Sequence, residues 1–115
     1  MIKIGTDIEQ ISRMAAALAR TPRLAARLFS AAECEYCAGK AHPAQHFTAR
    51  FCAKEAFIKA LGQPVSLQDI EVTRAPEGQP TLHLTGRAAA YLGERQVQVS
   101  LSHAGDYATA VVVIF

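Results

Sequence analysis

Long apolar runs are missing from this chain. No stretch approaches the roughly 18 consecutive apolar residues of a membrane span, and the opening Met1-Ile-Lys-Ile-Gly5 is too short to act as a signal peptide. A cytoplasmic protein is therefore expected. Cysteine is scarce and odd in number: Cys34, Cys37 and Cys52 point to reduced thiols rather than a disulfide framework. Nucleophile-elbow, Walker-type and G-x-G-x-x-G signatures are all absent, which removes the common hydrolase and nucleotide-fold readings. Charge of one sign is in short supply too. A formal net charge of +2 is too close to zero to argue for nucleic acid.

One absence is local. Between Gln10 and Ala32 the chain holds Arg13, Arg20, Arg23 and Arg27 and no acidic residue, so this segment reads either as a basic surface for an acidic partner or as ordinary solvated helix arginines. The arginines lack interleaved aromatics, and no base-reading motif accompanies them.

With 115 residues, a single domain over residues 1–115 is expected, burying roughly 65% of the surface its unfolded chain would expose. Ile2 and Ile4 alternate around Lys3 and lead through Gly5 into a short strand that ends at Asp7 or Ile8. Ile11, Met14, Ala15 and Leu18 recur at helical spacing. Thr21-Pro22 is read as the cap and first turn of a second helical piece reaching Leu28. Ser30 and Glu33 have the spacing of a capping box, opening a short helix that Gly39 ends.

The longest helix is expected from Pro43 or Ala44 to Leu61. Phe47, Phe51, Ile58 and Leu61 form one stripe, and Gly62 stands at the C-terminal cap. Ile70 and Val72, then Leu82 and Leu84, alternate on either side of the turn Ala75–Pro80, giving a hairpin. Arg87–Leu92 forms a short helix ending at Gly93. Val97, Val99 and Leu101 then alternate toward a turn placed at His103, and Tyr107–Phe115 is the last strand. The order predicts an α+β fold.

Several residue groups invite a chemical reading and do not sustain it. Cys34-Glu-Tyr-Cys37 has redox or zinc spacing, but no second pair follows, so packed thiols are expected. His42 and His46 are four apart with Pro43 between them and lack the glutamate of a zinc-protease motif; surface histidines are expected. His83 needs no function.

The long helix is different. Glu55 and Lys59 share a face, and Lys54 projects into the apolar stripe, where a charge must find a partner. Asp7, following a strand and a glycine, supplies a second carboxylate from another element. Two carboxylates on separate elements can converge on a hard cation, with Arg50, Lys54, Lys59 and His103 forming a polyanion pocket.

Read together, Ile4-Gly-Thr-Asp-Ile-Glu-Gln-Ile-Ser-Arg13, Arg50-Phe-Cys-Ala-Lys-Glu-Ala-Phe-Ile-Lys-Ala-Leu-Gly62, Gln68-Asp-Ile-Glu-Val72 and Val99-Ser-Leu-Ser-His103 with Asp106-Tyr-Ala108 resemble the small bacterial holo-acyl-carrier-protein synthases. These are 4'-phosphopantetheinyl transferases, and the resemblance spans nearly the whole chain. It implies antiparallel strands packed on one long helix, and transfer of 4'-phosphopantetheine from coenzyme A to a serine of apo acyl carrier protein.

By the same resemblance, Asp7 and Glu55 hold Mg2+, Lys59 assists the leaving group, and Glu55, directly or through metal-bound water, takes the serine proton. Arg50 and His103 meet the nucleotide phosphates, with Lys54 counted among the coenzyme A contacts. Arg13, Arg20 and Arg23 dock the carrier protein, and the chains assemble as a homotrimer with shared sites. One departure is the quick passage through Gln63-Pro-Val-Ser-Leu67, where the family has a longer, glycine-containing loop. A module of the same fold that binds carrier protein or coenzyme A without transfer is the alternative; the intact Asp7, Glu55 and Lys59 argue against it.

Overall fold

A computed structural model describes residues 1–115. Eight residues of alternating exposure form β1 (Lys3–Gln10). Four helices follow: α1 (Ile11–Arg20), α2 (Leu24–Leu28), α3 (Ala31–Ala38) and α4 (Pro43–Leu61). After a 3-10 turn at Leu67–Asp69 come β2 (Ile70–Arg74), β3 (Pro80–Leu84), α5 (Gly86–Leu92), β4 (Val97–Ala104) and β5 (Tyr107–Ile114). The strands form two antiparallel sheets, one ordered β1-β5-β4 and the other the β2-β3 hairpin. The expected α+β arrangement, with antiparallel strands on one long helix, is what is found.

α4 is the axis of the molecule. It begins with Pro43, whose missing N–H costs nothing in a first turn, and stops at Gly62, where φ of 75° sends the chain left-handed and the cap N–H donates to the Ile58 carbonyl. Its side chains Cys52, Ala53, Ala56, Phe57 and Ala60 meet Ala108, Ala110, Val112 and Ile114 of β5 in the main core cluster. Small residues on both sides let sheet and helix approach closely.

The approach is tightest at Gly5, where a Cβ would lie 2.1 Å from the Ala56 carbonyl oxygen and 2.6 Å from the Ala60 nitrogen. No side chain fits there. Register places Gly5 opposite Val112, Asp7 opposite Ala110 and Glu9 opposite Ala108, so all three residues of β1 face α4. The other face of the sheet leaves Ile4, Ile8 and Val111 exposed.

Several boundaries depart from the sequence reading; among them, α5 starts one residue early at Gly86 and Pro80 belongs to β3 rather than to the turn. β1 runs on to Gln10 instead of stopping at Asp7 or Ile8, because its pairing with β5 continues to Gln10 opposite Tyr107. Thr21 does not open α2. Its N–H donates to the Ala17 carbonyl and so closes α1, while Arg23 is the residue before α2 and supplies no side-chain cap. The last hairpin turns at Gly105-Asp106, not at His103, which lies in β4 opposite Ala108. β5 ends at Ile114 rather than Phe115. The capping box formed by Ser30 and Glu33 is present as expected. No helix is long and apolar enough to cross a membrane.

Candidate active site

Because β1 lies directly on α4 at Gly5, the carboxylate of Asp7 reaches the exposed end of the helix face carrying Glu55 and Lys59. Lys59 Nζ donates to Asp7 Oδ1 at 3.1 Å and to the Thr6 carbonyl at 3.0 Å. The Asp7 side chain is only 10% exposed, yet its Oδ2 has no hydrogen-bond partner. A carboxylate oxygen enclosed and left unpaired is costly.

The neighbours deepen that cost. Burial, then proximity to Asp7, then the charge of Glu55 push the Glu9 carboxyl up to about 7. Burial and the charge of Asp7 raise Glu55 as well, with Lys59 pulling the other way. A proton on either carboxyl would let Glu9 and Asp7 share a hydrogen bond; with both ionised, Oδ2 stays orphaned. Against the three carboxyls stand Lys59 and, on the Glu9 side, Arg13, whose charge pulls Glu9 down without cancelling the rise. That excess of negative charge is what a hard divalent cation neutralises. No three such side chains converge into a closed cage, a poor match for structural zinc and a good one for a cation that keeps several oxygen positions for water or substrate.

A second constellation is positive. Arg50, from the middle of α4, and His103, from β4, line one cavity of about 160 Å³ together with Gln45, His46, Arg74 and Ser102. Arg50 is 2% exposed; its Nε has no partner, and one terminal nitrogen makes a long 3.5 Å contact to the His46 carbonyl. Its guanidinium lies 4.1 Å from the Tyr36 ring centre, and Lys40 and Arg74 approach the same ring. Burial favours the neutral phenol, but the charges of Arg74, Arg50 and Lys40 outweigh it and hold Tyr36 below its usual value. Burial, followed by the Arg50, Lys40, Arg74 and His103 charges, depresses His46. No carboxylate lines this cavity, so it is built for an anion.

Lys54 departs from expectation. Its side chain is fully buried, and its three protons go to Glu33 Oε1 at 2.7 Å, the Leu28 carbonyl at 2.8 Å and the Leu67 carbonyl at 3.3 Å. It has no donor left for a ligand. A charge on the apolar stripe of α4 needs a partner, and for Lys54 that partner is Glu33 of α3. The thiols are packed as expected: all three are free, Cys37 and Cys52 are buried, and burial raises these two to about 11 and about 12. His42 is exposed, whereas His46 is half-buried against the cationic cavity rather than on open surface.

Arg13, Arg20, Arg23 and Arg27 are all exposed. Arg13 also borders a groove of about 400 Å³ walled by Met14, Ala17, Leu24, Leu28 and Phe51, with Glu9 at one edge. The basic face and the acidic site thus adjoin through Glu9.

A family model described as the 4'-phosphopantetheinyl transferase superfamily matches residues 3–112. The chain belongs to that superfamily. This transferase is 45% identical over 120 residues to a holo-[acyl-carrier-protein] synthase of Moorella thermoacetica, an alignment covering 99% of this chain and 94% of that one. Its fold matches the ACPS–CoA complex of Chronobacterium ammoniagenes at a TM-score of 0.87 and 32% identity, covering 99% and 96% of the two chains. The holo-[acyl-carrier-protein] synthase of Neisseria meningitidis superposes at a TM-score of 0.90 with 28% identity, covering 100% and 99%.

The parts played by Glu9, Tyr36 and Arg74 of the transferase escaped the sequence reading, and Glu33 was read only as a capping-box residue. For Glu9 a signal existed: Gly5, Asp7 and Glu9 alternate on one face once the strand is carried to Gln10. Tyr36 and Arg74 come together only in three dimensions.

Proposed function

We propose that this transferase moves 4'-phosphopantetheine from coenzyme A to a serine hydroxyl of an apo acyl carrier protein, releasing adenosine 3',5'-bisphosphate, with Mg2+ held by Asp7 and Glu55. The observation that carries the metal assignment is the enclosed, unpaired Asp7 Oδ2 beside two carboxyls held above their ordinary values. When bound, the ion supplies positive charge to the pyrophosphate as the bond to the leaving group stretches.

The chain's own groups do the rest. The serine oxygen forms a bond to phosphorus as the bridging oxygen of the pyrophosphate departs with the nucleotide. Glu55, raised by burial and by Asp7, takes the serine proton. Lys59, held by Asp7 and the Thr6 carbonyl with its side chain 55% exposed, has a proton free to meet the charge growing on the leaving oxygen. The carboxylate-free cavity of Arg50, His103 and Arg74 takes the nucleotide phosphates. Arg13, Arg20 and Arg23 attract the acidic face of the carrier protein, and the groove beside Arg13 leads the serine toward Glu9 and Glu55.

The open face of the sheet supports assembly. Ile2, Ile4 and Ile8 are 72%, 64% and 64% exposed, and Val111 lies beside them on β5. Covering this strip calls for other copies of the chain, and a homotrimer that completes each acidic site with a neighbour's cationic cavity fits it.

The test is the intact mass of an apo carrier protein after incubation with this chain and coenzyme A, with Mg2+ or with a chelator. The expected outcome is one added phosphopantetheine and one equivalent of adenosine 3',5'-bisphosphate with metal, and neither without it. No mass gain with metal present overturns the activity; an equal gain in chelator overturns the metal assignment alone.

A further inference from the structure

The segment Gln68-Asp-Ile-Glu-Val72 is left without a role by the chemistry above, yet its first side chain reaches across the molecule. Gln68 Nε2 donates to the Ala26 and Arg27 carbonyls, both at 2.7 Å. Lys54 Nζ donates to the next carbonyl, that of Leu28, at 2.8 Å. These carbonyls are the last three of α2, the five-residue helix Leu24–Leu28. So short a helix is marginal in isolation, and the carbonyls at its end find no partner within it. Here each is met by a side-chain donor from another element.

α2 is also where the basic face meets the apolar groove. Arg23 and Arg27 are exposed at its ends, while Leu24 and Leu28 wall the groove opposite Met14 and Phe51. Its direction decides whether charge and apolar wall are offered together. α2 enters without a side-chain cap, so its seating depends on how it ends.

We propose that Gln68 is a positioning residue for carrier-protein recognition: it pins the C-terminal end of α2 so that Arg23, Arg27, Leu24 and Leu28 are pre-set for an acidic, amphipathic partner helix. This inference rests on the docking face assigned above. Gln68 touches neither the carboxylates around Asp7 nor the cationic cavity. Its loss therefore acts on the carrier protein alone, because an unpinned α2 must be ordered at the moment of binding.

Gln68→Leu keeps the size and removes the donor. The side chain is exposed, so the variant folds. Initial rates are measured against carrier protein and against coenzyme A, with Arg13→Glu as a parallel variant on α1 and amide exchange followed across residues 24–28. In Gln68→Leu, the KM for carrier protein rises by about 3- to 10-fold, the scale of two exposed hydrogen bonds, while kcat and the KM for coenzyme A stay within about 2-fold; the amides of α2 exchange faster. A smaller active fraction alone would lower kcat and leave KM in place, so the split excludes a merely structural role. An unchanged carrier KM in Gln68→Leu with a raised one in Arg13→Glu overturns the pinning and leaves the docking face standing. An unchanged KM in both overturns the docking face and this inference with it.

Discussion

α4 carries two lysines that each meet a carboxylate from elsewhere in the chain, and the two pairs have opposite fates. Lys54 and Glu33 are sealed in the core at 2.7 Å, and every group around them is satisfied. Glu33 Oε1 accepts from Lys54 and the Ser30 N–H, its Oε2 accepts from the Val72 N–H, and Lys54 fills its remaining donors with two carbonyls. Lys59 and Asp7 stand one turn further along at 3.1 Å, with Asp7 Oδ2 orphaned and two further carboxyls raised beside it. Hydrogen-bond accounting separates the two roles. The complete pair ties α2, α3, α4 and β2 together; the incomplete one leaves a carboxylate oxygen unmatched by any protein donor, which is what the proposed metal assignment draws on.

The sharpest way to break this contrast is Lys54→Met. It leaves the Glu33 carboxylate in the core without its ion-pair partner and with only the Ser30 and Val72 N–H donors, and unfolding by denaturant is expected to show a loss of about 3–5 kcal/mol. A loss under about 1 kcal/mol would mean that Glu33 is neutralised some other way. Lys59→Met is the mirror experiment. Transfer falls by about 100-fold or more at saturating substrates, whereas the loss of stability is smaller than in Lys54→Met, because the Lys59 side chain is itself 55% exposed.

Sequence reached the complete pair from one side only. Phe47, Phe51, Ile58 and Leu61 defined the stripe of α4, and Lys54 fell inside it, so the need for a partner was legible. Glu33 was legible merely as a capping-box residue, a role it also fills; nothing in local spacing shows one carboxylate doing both. The incomplete pair was legible as chemistry, since Asp7, Glu55 and Lys59 belong to recognisable motifs. Its electrostatics were not, because Glu9 enters only if β1 continues past Ile8, and strand ends depend on what the partner strand offers. His103 was misplaced for a similar reason. Ser102-His-Ala-Gly-Asp106 reads as a turn, but pairing with β5 extends β4 to Ala104, and Asp106 then reaches back to accept from the N–H and hydroxyl of Ser12.

pH sharpens the comparison more gently. Glu9 is raised from 4.5 to about 7, so between those values the folded chain binds more protons than the unfolded one. Stability is then lost as pH rises through that window. In chelator, the melting temperature is expected to decline from about pH 4.5 to about pH 7, and Glu9→Gln to decline less. His46, held below its ordinary value, contributes in the opposite sense, so the difference between wild type and variant is the readout. Equal slopes would show that Glu9 titrates alike in the folded and unfolded chain, and so is not raised by its neighbours.

Asp7→Asn, assayed for stability and for transfer on the same preparation, tests most directly whether the unsatisfied carboxylates are the chemical site. Removing one negative charge relieves Glu9 and Glu55, so the account predicts a metal-free melting temperature no lower than that of the wild type. It also predicts that an apo carrier protein with coenzyme A and Mg2+ gains no phosphopantetheine mass over the time in which the wild type converts it fully. A folded Asp7→Asn variant that converts the carrier protein at the wild-type rate would contradict it.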